Sequence, residues 1–106
     1  VRLADRYAFR EPIGVQINSE DGLLCDLSIL GCQLIATSAL KPNQKVKVTL
    51  PVEPAPLVCS GKVMWAKLET LPKGRGFAYR AGVQFLKPDH DAIDAFITGR
   101  HDAGRR

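Results

Sequence analysis

The sequence predicts an all-β domain, a six-stranded antiparallel β-barrel followed by one C-terminal α-helix. Two observations favour this fold class. Apolar residues alternate with polar ones in a series of short segments, and the apolar spacing changes to a helical period only near the end of the chain. Six strands and one closing helix are typical of a small barrel covered at one end. A length of 106 residues suits one domain, so we assign residues 1–106 to a single domain.

Residues that favour turns separate the predicted strands, as in the stretch 18–22 and at Gly31. The strands are predicted at 13–17, 23–30, 32–36, 45–50, 57–68 and 79–85. Pro88 and Asp89 then end the last strand and supply a helix cap. We therefore assign residues 13–87 to the barrel and 89–100 to the helix.

Composition and charge exclude several classes of protein. The formal net charge of +4 favours an anionic partner, but basic residues form no consecutive block, so duplex nucleic acid is not expected. The longest uncharged run, residues 27–40, is too short to span a bilayer, so no membrane insertion is expected. The chain begins at Val1 rather than Met, and we expect an adjoining domain of a longer chain or a protein partner.

The cysteines and histidines do not predict a metal site or a catalytic centre. Cys25, Cys32 and Cys59 contain no C-x-x-C pair, and they are expected to be small buried hydrophobic residues in a reducing, cytoplasmic compartment. His90 and His101 have no nucleophile or carboxylate at a catalytic spacing. We expect a protein that is not an enzyme and holds no metal or cofactor.

Arginines precede the first predicted strand at a regular spacing. Arg6 and Arg10 are four residues apart, so they share a side in a helix or in an extended segment. Two guanidinium groups on one side match phosphate oxygens and the Hoogsteen edge of guanine, both of which are bound bidentately. Arg2 repeats the spacing, but the frame that ends at Arg10 runs directly into the first strand.

A second polar group interrupts the apolar second strand. Asp26 and Ser28 are two residues apart and are predicted to project from one face of that strand. Such a break in an apolar pattern tends to mark a functional position. Asp26 can accept from guanine N–H groups, Ser28 adds a hydroxyl, and Gly31 permits a positive φ and the close approach of a ligand. The alternative is that these three residues form a polar hairpin turn.

Together the two features resemble the PilZ domain, a bacterial receptor for cyclic di-GMP marked by an R-x-x-x-R arm followed by [DN]-x-S-x-x-G. The resemblance continues through Val63–Ala66 and Ala81–Phe85 to the terminal helix. It implies a split six-stranded barrel with a C-terminal helix. It also implies that residues 1–12 form a flexible, arginine-bearing arm that wraps over the ligand.

The ligand-binding residues that the resemblance implies are Arg6, Arg10, Asp26, Ser28 and Gly31, with Arg2 and Trp65 as further candidates. For Trp65 we favour packing on the helix over stacking on guanine. The function implied is non-enzymatic binding of cyclic di-GMP in second-messenger signalling. The first alternative is a PilZ-like protein interaction module that has lost nucleotide binding. The second is a small barrel for single-stranded nucleic acid, although that class needs several stacking aromatic residues.

Overall fold

The fold was analysed in a computed structural model that describes residues 6–71, 74, 76–99 and, for the backbone, 103–105. The elements in chain order are β1 (Tyr7–Ile17), β2 (Glu20–Leu27), β3 (Gly31–Ala36), β4 (Lys45–Leu50), β5 (Leu57–Thr70), β6 (Phe77–Phe85), α1 (His90–Thr98) and β7 (Ala103–Arg105).

The first six strands form a closed antiparallel ring. Its order is β1-β2-β3-β6-β5-β4, and β4 pairs again with β1. The predicted fold class, six antiparallel strands followed by one C-terminal helix, is confirmed. The short strand β7 was not predicted; it pairs with the beginning of β1, at Tyr7–Phe9. Because β1 already begins at Tyr7, the boundary between arm and barrel predicted at residue 13 is placed too late.

The core lies inside the ring and continues under α1. Ile93, Phe96 and Ile97 of the helix belong to the same buried cluster as the inward-facing residues of the strands. The wholly buried leucine and valine side chains of the strands are Leu24, Leu27, Leu34, Val48, Leu50 and Val63. Burial of each such aliphatic side chain stabilises the fold by about 1.5–3 kcal/mol. The helix therefore closes the ring as its apolar spacing predicted.

The helix begins at the predicted cap and ends earlier than predicted. The Asp89 carboxylate accepts from the backbone N–H of Ala92 at 3.1 Å, which satisfies an orphan donor of the first turn. Gly99 follows the last turn and donates its N–H to the Ala95 carbonyl. Arg100, assigned to the helix from sequence, lies outside the described residues. At nine residues α1 is far too short for a membrane crossing, and no helix among the described residues is long and apolar enough for one.

Three irregularities in strand pairing decide which side chains face outward. The pairing register shifts between Ala8 and Ile13 in β1, between Leu24 and Asp26 in β2, and between Val63 and Trp65 in β5. An extra residue in one strand reverses the alternation of side chains beyond it. All three shifts lie along the same outer surface of the ring, where they position the candidate site.

Candidate functional site

A row of residues crosses five strands on the outer face of the ring. Ala8 pairs with Asp26, Asp26 with Gln33, Gln33 with Gly82, and Gly82 with Trp65. The last four lie on adjacent strands, so this part of the row spans about 14 Å, three strand spacings. We call Asp26, Gln33, Gly82 and Trp65 the outer row.

The bulge in β2 places Asp26 in this row. Leu24 and Leu27 are both wholly buried although they are three residues apart, because Cys25 is the extra residue between them. Asp26 therefore faces outward beside the buried Leu27. Without the bulge, alternation from Leu24 would have directed this carboxylate into the core.

Arg6 and Asp26 contact each other directly. Nη1 of Arg6 donates to Oδ1 of Asp26 at 2.6 Å, with the Arg6 side chain 42% exposed and the Asp26 side chain 14% exposed. The same carboxylate oxygen accepts from the backbone N–H of Gln33 at 3.0 Å. Arg10 follows the buried Phe9 in β1 and is exposed, which places it on the outer face as well. The structure thus brings Arg6 and Asp26 together.

Ser28 has a different position from the one predicted. Strand β2 ends at Leu27, so Ser28 lies in the turn and does not share a strand face with Asp26. Its hydroxyl accepts from the N–H groups of Leu30 and Gly31 at 3.1 and 3.2 Å and donates to the Gly31 carbonyl at 3.3 Å. One donor and two acceptor sites are all that a hydroxyl has. Ser28 is buried and forms the polar hairpin turn that the sequence left open as an alternative.

Gly31 is required for a reason other than a positive φ. Its φ is not in the left-handed region. A Cβ atom at this position would overlap the backbone carbonyl oxygen of Val83, so glycine lets β3 approach β6 closely.

Trp65 lies on the outer face, not on the helix. The extra residue Met64 shifts the register of β5, so Trp65 is 39% exposed although Val63, two residues earlier, is wholly buried. Its indole lies over Gly82, where a Cβ atom would overlap the indole nitrogen. Trp65 is not among the residues of the core cluster that includes the helix. The prediction that Trp65 packs on α1 was therefore wrong.

Part of this surface forms an open cleft of about 260 Å³. Among its lining residues are Arg6, Gly31, Gln33, Met64, Trp65 and Gln84. We call it the outer cleft. A larger cavity of about 510 Å³ lies near Gly14, Leu23 and Thr49, but its lining is mostly apolar. The outer cleft combines a guanidinium, two side-chain amides and an indole, so it is the better candidate for a polar, aromatic ligand.

Comparison with known families identifies the family to which this chain belongs. The family model of the PilZ domain matches residues 1–99. This chain belongs to the PilZ domain family. PilZ domains generally bind cyclic di-GMP and act in second-messenger signalling. A search of curated proteins gave no match.

The PilZ signature positions are only partly brought together. Arg6 and Asp26 are in contact, Gly31 lines the outer cleft, and Ser28 is enclosed in the turn next to it. Arg2 lies outside the described residues.

Sequence reasoning did not identify two residues of the outer cleft, Gln33 and Gly82. Gln33 is a polar residue in the otherwise apolar β3, the same kind of interruption that singled out Asp26. Gly82 lies within β6, and an interior glycine of a strand often marks the close approach of another group. Both signals were present, but they became specific only when the pairing showed that the two residues are neighbours.

The charges beside the outer row are paired. Arg80 Nε donates to both carboxylate oxygens of Glu69 at 3.1 Å. This hydrogen bond lowers the pKa of Glu69 and raises the pKa of Arg80. Arg80 of β6 is therefore paired with Glu69 of β5, whereas Arg10 is exposed.

The thiols remain protonated at neutral pH. Burial raises the pKa of Cys59 to about 11 and also raises the pKa values of Cys25 and Cys32. Cys32 and Cys59 are buried, as predicted from sequence, and Cys25 is half-buried.

Proposed function

We propose that this PilZ domain is a non-enzymatic, cytoplasmic receptor that binds cyclic di-GMP in the outer cleft and transmits binding to a protein partner or adjoining domain. The observation that carries the proposal is the contact between Asp26 and Arg6, which lines that cleft. The guanidinium of Arg6 suits an anion, and the carboxylate of Asp26 suits the N–H edge of a purine. Cyclic di-GMP presents both chemistries in one molecule.

The polar chemistry of guanine matches the available groups. Its O6 and N7 atoms accept from a guanidinium, and its N1 and N2 groups donate to a carboxylate. In the proposed complex Arg6 and Arg10 bind phosphate oxygens and the Hoogsteen edge, while Asp26 accepts from the guanine N–H groups. Gln33 supplies a further amide next to Asp26.

Binding then requires exchange of the Arg6–Asp26 ion pair for ligand contacts. The Arg6 side chain is 42% exposed and the Asp26 side chain is 14% exposed, so solvent screens this pair only in part. Each charge-assisted hydrogen bond to the ligand is worth about 1.5–3 kcal/mol, and the ligand offers several in place of the one that it displaces, so the exchange is favourable. Before the ligand arrives, the ion pair keeps Arg6 beside the cleft.

Trp65 supplies an aromatic surface in the same cleft. One part of its indole covers Gly82, and 39% of the side chain remains exposed. Stacking of a base on an aromatic side chain is worth about 1–3 kcal/mol. We therefore assign Trp65 to stacking on a guanine.

Titration calorimetry with cyclic di-GMP and with cyclic di-AMP tests the proposal. Adenine lacks the N1–H donor and the O6 acceptor, and loss of a good bidentate pair costs about 1–3 kcal/mol. We expect saturable heat with cyclic di-GMP and binding of cyclic di-AMP that is weaker by about 5- to 150-fold. Equal affinity for both would contradict the proposed roles of Asp26 and the arginines.

The second candidate is a PilZ-like interaction module without nucleotide binding. The observation in its favour is that Asp26 and Ser28 already have partners within the chain. Calorimetry separates the two functions, because an interaction module would give no heat with either dinucleotide.

A further inference from the structure

The hairpin formed by β5 and β6 extends beyond the ring. β4 pairs with β5 only along Leu57–Lys62. On the same side of β5, the loop before β4 pairs with Val63: the Asn43 N–H donates to the Val63 carbonyl, and the Val63 N–H donates to the Gln44 carbonyl. Residues 65–70 pair with β6 alone among the described residues. This leaves one edge of β5 open, and we call residues 66–70 the open edge.

Backbone alternation shows which residues face outward at the open edge. The N–H of Leu71 donates to the Gly76 carbonyl across the hairpin, so the backbone groups of Leu71 face β6. In an antiparallel strand these groups alternate in direction. Ala66, Leu68 and Thr70 therefore direct their N–H and C=O groups away from β6. Three outward-facing residues in series can pair with another strand.

We propose that two copies of this chain dimerise by antiparallel pairing of their open edges, centred on Leu68. In this register Lys67 of one copy faces Glu69 of the second copy, and Glu69 faces Lys67. Ala66 and Thr70 also face each other. The pairing is isologous, as a two-fold dimer requires.

Charge makes this register specific. Opposite charges across an antiparallel pair are stabilising, and like charges directly opposite each other are destabilising. The adjacent symmetric registers, centred on Lys67 or on Glu69, would place a residue opposite an identical charge. Lysine on an edge strand usually prevents pairing. Within one chain Lys67 Nζ already lies 3.6 Å from Glu69 Oε2. In the register centred on Leu68, each of these two side chains also faces the opposite charge of the second copy.

The hairpin also exposes apolar surface that this dimer would cover. Leu68 is 54% exposed and Phe77 is 63% exposed. Phe77 pairs with Thr70, which lies two residues from Leu68 and so on the same face of the strand. In the dimer, each Leu68 lies opposite the Leu68 of the second copy, so the apolar stripe becomes continuous across the interface.

Charge reversal tests the register. Sedimentation velocity over a wide range of protein concentration should show a species of twice the 11.6 kDa chain mass. K67E places a carboxylate opposite Glu69 at two symmetric positions and should weaken dimerisation by about tenfold or more. E69K should act similarly, whereas an equimolar mixture of the two variants restores both opposite-charge pairs and should dimerise again. K45E is the matched control and should associate like the wild type.

Disulfide trapping tests the centre of the interface. Leu68 and Val58 are equally exposed, at 54%, on the same strand, but Val58 is in the part paired with β4. Hydrogen-bonded residues of an antiparallel pair have Cα atoms about 5.5 Å apart, within the range of a disulfide. L68C should form a covalent dimer under mild oxidation, and V58C and the wild type should not.

A wild-type chain that is monomeric at every concentration would overturn the dimer. So would a K67E variant that associates as tightly as the wild type. A mixture of K67E and E69K that associates no better than either variant alone would also overturn it. Circular dichroism of each variant verifies the fold. L68C that forms no covalent dimer, or V58C that is trapped equally well, would contradict the register.

Discussion

Strand β4 and strands β1, β2 and β5 differ in how they use the alternation of side chains. In β4 the pattern is unbroken: Val46, Val48 and Leu50 are buried, while Lys45 and Lys47 are exposed. Each of the other three strands contains a register shift. Those shifts occur at the positions that turn Asp26 and Trp65 outward beside the arginine arm.

The comparison separates stability from function. An unbroken strand presents every apolar residue to the core, so it stabilises the ring and offers little on its outer side. A bulged strand gives up one regular pair and presents consecutive residues that alternation would have placed on opposite faces. Met64 and Trp65, at the shift in β5, line the outer cleft. The shift in β2 turns Asp26 outward, where it contacts Arg6, another lining residue.

The largest effect is expected from damage to the regular region. Leu50→Ala removes a wholly buried side chain and should lower the free energy of unfolding by about 2–5 kcal/mol, measured by urea denaturation. Lys47→Ala, on the outer side of the same strand, should change it by less than about 0.5 kcal/mol. A similar loss in both variants would mean that β4 is not the regular structural strand described above.

Arg10→Ala should act on binding rather than on stability. The loss of charge-assisted, bidentate bonds to cyclic di-GMP should cost about 2–4 kcal/mol, or about 30- to 1000-fold in affinity by titration calorimetry. Because Arg10 is exposed, the free energy of unfolding of Arg10→Ala should stay close to that of the wild type. Arg10→Lys keeps the charge but not the guanidinium fork, so its affinity for cyclic di-GMP should lie between those of the wild type and Arg10→Ala. Unchanged affinity in Arg10→Ala would remove Arg10 from the site.

The effect of Gly82→Ala should be confined to Trp65 and the bulge of β5 opposite Gly82. The added methyl group overlaps the indole of Trp65 and should displace it, which weakens binding by up to the stacking contribution of about 1–3 kcal/mol. The chain has one tryptophan, so a shift in fluorescence emission reports the displacement directly. Gly14→Ala is the matched control, since a methyl group there meets nothing within 4 Å. Identical spectra and affinities in both variants would contradict the position of Trp65.

The smallest effect concerns Glu69 beside the outer row. The Arg80 hydrogen bond lowers the pKa of Glu69 in the folded protein. The pair therefore stabilises the fold fully at pH values above the pKa that Glu69 has in the unfolded chain. This stabilisation is lost as the pH falls through the lower pKa that Glu69 has in the folded protein. Arg80→Gln should raise the pKa of Glu69 toward its ordinary value, measured by NMR titration of its carboxyl carbon. A titration curve that does not move would show that the pair is not formed in solution.

Much of the fold could be predicted because alternation and turn residues are local signals. The alternation in β4, the Asp89 cap and the apolar spacing of α1 all have their causes within a few residues. The strand β7 could not be predicted, because it depends on pairing with the distant residues Tyr7–Phe9.

The candidate site was less predictable than the fold. The signature residues Arg6 and Asp26 were found from spacing, and the structure brings them into contact. The bulge at Met64 has no signature in composition, so the outward position of Trp65 was missed. The role of Ser28 depended on where β2 ends, and a single residue decided between strand and turn.

NMR chemical-shift mapping with cyclic di-GMP tests the central claim most directly. The proposed complex predicts that the largest perturbations fall on the backbone amides of Asp26, Gln33 and Gly82 and on the indole N–H of Trp65. The larger apolar cavity near Gly14 and Thr49 should remain unchanged. Perturbations centred on that cavity, or none at saturating ligand, would contradict the claim that the outer cleft binds the dinucleotide.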